Sequence, residues 1–498
     1  MATLTSDIIT IDRNSYDVGE DKIEYIQARE LLVSNRIDLV VKYKFVEAYD
    51  RGINVPFLRQ LYFTHLEAFT DGTFIEPGKE GSKKSFLDYL EVFEELISSI
   101  KRDGVRKEIS VIPVGRNNAI LNGSHRVAIA MYYNLTVPIV RYEDIEVKYD
   151  YAYFKQKLLE KSYIDYMITE YIRLKENVFF VCIWPRANKT KLEVVDTLIH
   201  QTCNVVYTSS IMLKYNGLKN LMIHIYGKQS WCGDIQNGYK GIQGKVDNCY
   251  IDHAETIIYV LDNINIDDIV SLKQEIRNIF QIENSSIHIS DNSRESLELA
   301  HLLLNHNSLD VLNYGQMCKY KAYIASLQQI GKELDAYKID REDFLIDSSG
   351  ILGVYGIRNP GDIDCLTFIN LKKYHFTVKV AIHDENIIYY SQTKEDLIYN
   401  PNNYLFAFDI KFCNLSTLFE MKKRRNEKKD CEDCLLIEPY IKKQITYKAK
   451  VYQYKVRIKR KCRNIYEMIR YKIIRFLKKM HLYDKARKLY HIFKRMKL

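Results

Sequence analysis

The sequence predicts an α/β and α+β multidomain protein: three mixed blocks followed by a basic amphipathic helix. Its 498 residues, 47% of them apolar, can bury several cores, and at ~150 residues per domain they suffice for about three. In three separate stretches, runs with strand patterning alternate with runs of helical spacing, as mixed layers require. The charge is divided as well. Ile441 to Leu498 holds 21 Lys and Arg against Glu467 and Asp484, a local charge of +19, so the residues before it carry −10 of the net +9. An acidic body precedes a basic tail.

No N-terminal run combines a basic start, an apolar core and a small-residue cleavage site. No stretch approaches the ~18 apolar residues of a membrane span either. A cytoplasmic protein is expected, peripheral at the inner membrane face if the tail binds lipid. The ten cysteines are scattered, and the close pair Cys431 and Cys434 lacks the second pair that a structural zinc site needs, so reduced thiols are expected.

The first block, residues 20–150, ends in ISVIPVGRNNAILNGSHRVAIAMYYNLTVPIV, which reads as strand, turn, strand, helix, strand from its alternation and its Asn-Gly punctuation. A glycine turn that opens a helix leaves backbone N–H groups directed at the positive end of the dipole, and a nearby arginine would complete an anion site. An ordinary strand-to-helix turn has the same spacing. LNGSHRVAIAMYYNLTVPIV resembles the signature of the ParB/sulfiredoxin superfamily. The resemblance implies that Gly123, Ser124, His125 and Arg126 hold nucleotide phosphate, with Glu76 as a candidate general base. Members of that superfamily include nucleotide-dependent clamps, a reductase and small-molecule kinases, so the fold alone leaves the reaction open.

Residues 151–176 read as a helical connector, and the second block, 177–315, opens with the apolar strand NVFFVCIW. Its SSIHISDNSRES raises the question of a nucleophile. A histidine that accepts a phosphoryl group needs one free ring nitrogen, an acceptor on the other, and cations or N–H donors around the transferred group. A histidine closing a strand would look the same. The block resembles nucleoside diphosphate kinases: Ile276-Arg277-Asn278-Ile279-Phe280 precedes Ser285-Ser286-Ile287-His288-Ile289-Ser290-Asp291, and Glu295-Ser296 follow. The resemblance implies a ferredoxin-like domain in which His288 carries phosphate, Arg277 and Lys273 bind it, and Tyr226 lies in the active site. Where those kinases have Lys-Pro-Asp-Gly, this chain has Trp184-Pro185-Arg186-Ala187, leaving Arg186 or Lys189 to replace the lysine. A different phosphoryl acceptor, or a degenerate domain, fits that departure better than ordinary nucleoside diphosphate exchange.

The third block, residues 335–440, contains SSGILGVYGIRNPGDIDCLTF. Asp362 and Asp364, two apart on a strand, point to one face and repel unless a divalent ion lies between them. The stretch resembles the polymerase-beta-like nucleotidyltransferase motif, with Ser348-Ser349 at the small-residue turn and Gly350 after it. That resemblance implies Mg²⁺ on Asp362 and Asp364, triphosphate at Ser349, and a third carboxylate, Asp409 in FAFDIKF, orienting or deprotonating the attacking group. Lys429, Asp430 and Asp433 match the Lys-Asp-x-x-Asp helix of small members of the same superfamily.

In the tail, 441–498, Ile465, Ile469, Ile473, Phe476, Leu477 and Met480 recur at helical spacing among Lys and Arg. Such a helix suits an anionic membrane surface, with nucleic acid as the rival partner. Together these features lead us to expect a kinase or nucleotidyltransferase that uses Mg²⁺ and a nucleoside triphosphate to activate a small metabolite or sugar, in the setting of surface polysaccharide synthesis. A nucleic-acid-processing protein and a metal-dependent glycosyltransferase are the alternatives.

Overall fold

A computed structural model describes residues 23–75, 83–187, 189–480, 482, 483, 486 and 487. The chain divides into two compact units, Met1–Leu418 and Phe419–Leu498. The first holds three sheets, one from each mixed block.

The first block comprises β1 (Glu24–Gln27), α1 (Asp38–Asp50), α2 (Pro56–Phe69), α3 (Phe86–Asp103), β2 (Ile112–Val114), α4 (Ser124–Tyr132) and β3 (Thr136–Arg141). β3 is central, antiparallel to β1 and parallel to β2. Helix α3 is held at its start by a capping box between Ser85 and Asp88 and stops at Gly104, whose φ of 69° no helix continues. The strand expected after the Arg116–Asn118 turn shrinks to one bridge, Val114 to Ile120, because Asn117 and Asn118 turn left-handed before it.

Helices α5 (Tyr151–Gln156) and α6 (Lys161–Leu174) form the connector. The second block runs β4 (Phe179–Ile183), α7 (Leu192–Thr202), β5 (Asn204–Ile211), α8 (Tyr215–Tyr226), α9 (Ile242–Cys249), β6 (Thr256–Asp262), α10 (Ile266–Phe280), β7 (Ile287–Ile289), α11 (Ser293–Leu303) and α12 (His306–Tyr314). Its strands lie in the order β5-β6-β4-β7, all antiparallel. Alternation assigns the two faces. Val181, Ile183, Tyr259, Leu261, Ile287 and Ile289 pack with Val195 and Ile199 of α7 and Leu272 and Ile276 of α10. His288, between Ile287 and Ile289 and paired with Cys182, therefore faces the other side.

Helix α13 (Lys321–Ala336) leads into the third block: β8 (Phe344–Ile346), α14 (Gly350–Val354), β9 (Ile363–Thr367), β10 (Val380–Ile382), α15 (Lys394–Tyr399), β11 (Tyr404–Ala407) and β12 (Ile410–Cys413). The strand order is β10-β9-β8-β12-β11, with β8 parallel to β12 and antiparallel to β9. Ion pairs tie the blocks together: Arg51 to Asp343 at 2.6 Å, Arg173 to Glu47 at 3.4 Å and Arg294 to Asp409 at 2.8 Å.

Helix α16 (Leu415–Arg425) crosses from the first unit into the second, which continues with α17 (Lys428–Ile441) and α18 (Tyr447–Lys479). The 33-residue α18 starts where the Thr446 side chain accepts from the Ala449 N–H. Ile465, Ile469, Ile473, Phe476 and Met480 are exposed. Among the described residues no helix is long and apolar enough to cross a membrane.

Candidate functional site

Strand β7 is short because Ser290 and Asp291 turn the chain into α11, which Asn292 caps by accepting from the Glu295 N–H. That cap places Glu295 in the first helical turn, against His288. His288 is 4% exposed. Its Nε2 lies 3.1 Å from Glu295 Oε1, and its Nδ1 lies 3.3 Å from the hydroxyl of Tyr226, the last residue of α8. A nitrogen facing a carboxylate carries the proton, so Nε2–H donates to Glu295 and Nδ1 holds the lone pair. The Asp291 N–H donates to the other carboxylate oxygen at 2.7 Å. Burial opposes ionisation of Glu295, but His288, the Asp291 N–H and Lys273 outweigh it and hold the carboxyl below its usual range. Burial pushes the Tyr226 phenol up, so it stays a neutral donor to Nδ1.

Cations surround this pair. Lys273 and Arg277 lie one turn apart on α10, and Lys273 Nζ donates to Ile289 O at 3.0 Å and reaches Asp291 at 3.3 Å. Lys245, on α9, has its Nζ 5.6 Å from the centre of the Tyr226 ring. Burial lowers the pKa of Lys245, and repulsion from Arg277 and Lys273 adds to it, as three positive charges around one space must. Two buried donors there have no partner: Arg277 Nε and Trp184 Nε1, the indole being stacked on His288 with centroids 6.5 Å apart. Unsatisfied buried N–H groups are costly, and an oxyanion would satisfy them.

The sequence reading named His288, Tyr226, Arg277 and Lys273, and the structure brings all four together. Lys245, which carries no local motif, goes unnamed there, while Trp184 enters only as the residue standing where the kinases have lysine, and Glu295 is quoted without a role. Of the two suggested replacements for the missing lysine, Arg186 instead donates to the carbonyls of Asp247 (3.1 Å) and Tyr250 (3.2 Å), while Lys189 is exposed.

No family model, curated protein or solved structure matches the chain. The chemistry of its sites therefore rests on their own geometry.

In the first block Gly123 has φ 91°, and a Cβ there would come within 2.8 Å of Ile112 and 2.9 Å of Arg126, so the turn into Ser124 requires glycine. Its N–H donates to Asn122 Oδ1 at 2.7 Å. Arg126 is buried. His125 is engaged elsewhere than expected: its Nε2 is 2.8 Å from the Tyr62 hydroxyl, its ring sits edge-on to Phe93 at 4.6 Å, and burial drives its pKa well down. A neutral imidazole with Nε2 on Tyr62 has only Nδ1 left to meet a phosphate and brings no positive charge to it. Glu76 lies outside the described residues.

In the third block the turn after β8 brings Ser348 and Ser349 beside the start of β9. Asp364 meets Asp347, whose N–H donates to the Asp364 carbonyl at 2.9 Å. His383 Nδ1 lies 3.7 Å from both Asp347 and Asp364 and 3.0 Å from Ser348 Oγ. Burial, with Asp362, Asp347 and Glu385 in support, raises the Asp364 carboxyl despite His383. The hydrogen bond that His383 donates to Asp347, then the charges of Asp364, Asp347 and Glu385, raise His383 against its burial. Asp362 is exposed. Oxygen ligands suit Mg²⁺, but the His383 imidazole takes the place between the carboxylates. Among the described residues no group of three or more His, Cys, Asp or Glu is arranged to hold a metal. As arranged, these residues do not fit a resident ion.

Asp409 is corrected. It sits in the turn between β11 and β12 (φ 57°), paired with Arg341 at 2.7 Å and Arg294 at 2.8 Å. Because β12 runs parallel to β8, Cys413 and not Asp409 lies level with Asp347. Asp409 is about four residues, or ~13 Å, further down the sheet. Asp430 and Asp433 are likewise committed: buried Lys422 pairs with each at 3.0 Å, Arg425 with Asp430 at 2.8 Å and Arg460 with Asp433 at 3.0 Å. Lys429 is exposed beside Glu427.

Proposed function

We propose that this protein is a nucleotide-dependent phosphoryl transferase in which His288 carries the phosphoryl group. The observation behind this reading is the cluster itself: a histidine with Nε2–H fixed on Glu295 and a lone pair on Nδ1, with Lys245, Lys273 and Arg277 nearby and the Arg277 Nε and Trp184 Nε1 donors unsatisfied. Nδ1 attacks the γ-phosphorus of a nucleoside triphosphate, the bond to the bridging oxygen breaks, and nucleoside diphosphate leaves. Mg²⁺ enters as part of the nucleotide substrate. Glu295 stabilises the positive charge on the phosphorylated ring, and Tyr226 releases Nδ1 and donates to the transferred oxygens. In the second step a hydroxyl of the acceptor takes the phosphoryl group, restores His288 and gives its proton to solvent.

The strand order of the second block, an antiparallel βαββαβ sheet, supports the ferredoxin-like, nucleoside-diphosphate-kinase-like reading. The first and third blocks are proposed as ParB/sulfiredoxin-like and nucleotidyltransferase-like. Nucleotidyl transfer at Asp362 and Asp364 is a second reading, favoured by the Ser348–Ser349 turn that sets Asp364 beside Asp347; it requires His383 to swing away. A small metabolite or sugar, made ready for surface polysaccharide, is the acceptor we favour. The exposed apolar stripe of α18 supports contact with anionic lipid.

The test is incubation with γ-labelled nucleoside triphosphates and Mg²⁺. Acid-labile label on the wild type, absent from His288→Ala and at least tenfold weaker in Glu295→Gln, is expected, with Asp364→Asn unchanged. A wild type that takes no label, or a His288→Ala variant that still does, refutes the proposal.

A further inference from the structure

A second cavity lies away from the His288 pocket, bounded by α6, the end of β5, the junction of α11 with α12, and β11. Its volume is about 520 Å³, within the ~300–1,000 Å³ typical of small-molecule sites. His301, in the last turn of α11, lines it and is only 7% exposed. The ring is fixed on two sides. Nε2 lies 3.3 Å from Glu342 Oε1, and the plane stacks on Phe406 with centroids 3.7 Å apart and an interplanar angle of 4°. Glu342 is itself ion-paired with Lys411, a fully buried cation. Beside that carboxylate Nε2 bears the proton, so Nδ1 is an acceptor, and Nδ1 is buried with no partner. The stacking prevents the ring from turning to find one.

We infer that this cleft binds a neutral polyhydroxylated molecule of sugar size, one of whose hydroxyls donates to His301 Nδ1. The charge of the lining argues against an anion: Lys161, the one Lys or Arg in it, is 2.6 Å from Asp165, and Asp310 adds a second carboxylate, which suits hydroxyl donors and repels phosphate. The remaining polar lining, including Asn402 and Ser210, offers amide and hydroxyl partners, while Met212 and Leu309 supply apolar surface. Nothing in this inference depends on His288.

Saturation-transfer NMR on the full chain with D-glucose, D-galactose and N-acetyl-D-glucosamine tests it, with ATP as a competitor. At least one sugar should give transfer. His301→Phe, which removes the acceptor and keeps the flat ring, should weaken binding about tenfold. Ser210→Trp, placed on the exposed rim, should abolish it, with the melting temperature unchanged. His288→Ala should bind as the wild type does. The inference is overturned if none of the sugars binds, if Ser210→Trp binds normally, if His288→Ala loses binding, or if ATP displaces the sugar from the cleft.

Discussion

Acidification should loosen the contact between α8 and the β11–β12 turn through one histidine. His224 Nδ1 donates to the Asn220 carbonyl at 2.8 Å, and its Nε2 accepts from the Phe408 N–H at 2.9 Å. Protonation would set an N–H against an N–H. Burial accordingly lowers the pKa of His224 from 6.5 to about 4, although the Asn220 carbonyl and Asp409 pull the other way. Between these values the unfolded chain binds a proton that the folded chain refuses, so stability falls as pH drops from 6.5 towards 4. At 1.36 kcal/mol per unit, this site removes at most about 2 kcal/mol between pH 8 and pH 5. His65 and His125, also held neutral by burial, act in the same direction, so the variant and not the raw profile isolates His224. His224→Gln keeps an acceptor for Phe408 and does not titrate. Urea denaturation at pH 8 and pH 5 should show the variant losing about 2 kcal/mol less than the wild type on acidification. Equal losses in the two proteins would refute this reasoning.

Arg173→Met should destabilise the first unit by about 3 kcal/mol in denaturant titrations, because it leaves two carboxylates, Glu170, 2.6 Å from Arg173 and 4% exposed, and Glu47, to share Lys44, which is 3.5 Å from Glu170 and ion-paired with Glu47. A loss below about 1 kcal/mol would show that Lys44 suffices. Asp409→Asn should leave the rate of phosphoryl transfer within a factor of about two, since its partners are Arg294 and Arg341, remote from Asp364; a hundredfold drop would return it to the catalytic set. The double variant Ile469→Asp/Phe476→Asp should cut sedimentation with anionic vesicles more than tenfold while circular dichroism stays unchanged, both positions being exposed. Undiminished sedimentation would separate lipid binding from the apolar stripe.

The second block was the most legible, because its signals are local. An apolar run marks β4, and a histidine flanked by two isoleucines on a strand must face away from the core those isoleucines join. Asp364 was legible for the same reason, since strand alternation reports which side chains share a face. Partners brought in by tertiary contact left no trace. Lys245 lies 43 positions before His288 on a different helix, and His383 reaches Asp364 from the far end of β10. Strand β1 was missed because its pattern of exposure is nearly continuous and shows no alternation. Asp409 failed on direction: a carboxylate just before a strand was taken as level with Asp364, but a parallel β12 puts that end of the strand at the opposite edge. In α17 the match to a Lys-Asp-x-x-Asp helix gave no sign of Lys422, eight residues before Asp430, which pairs with both Asp430 and Asp433.

Helix α11 connects the two proposed sites. Glu295 in its first turn orients His288, and His301 in its last turn faces the sugar-sized cleft. The six-residue step from one to the other amounts to ~9 Å of rise. Ser296 fixes the helix between the two by donating to the Val178 carbonyl at 2.6 Å, with Ser290 Oγ 2.7 Å away. The electrostatics differ along this short span: Lys245, Lys273 and Arg277 gather at one end with Asp291 and Glu295 as the nearby carboxylates, while Lys161 and Lys411 at the other are each ion-paired. On the proposed reading a polyanion goes to His288 and an uncharged molecule to His301, so charge would sort the two kinds of ligand before any reaction. The rise from Glu295 to His301 also constrains the chemistry, because a ligand seated against His301 has to extend along α11 to meet a phosphoryl group on His288. If the cleft holds the acceptor, that acceptor must be long enough to extend along α11, and a compact one would occupy the cleft without being phosphorylated.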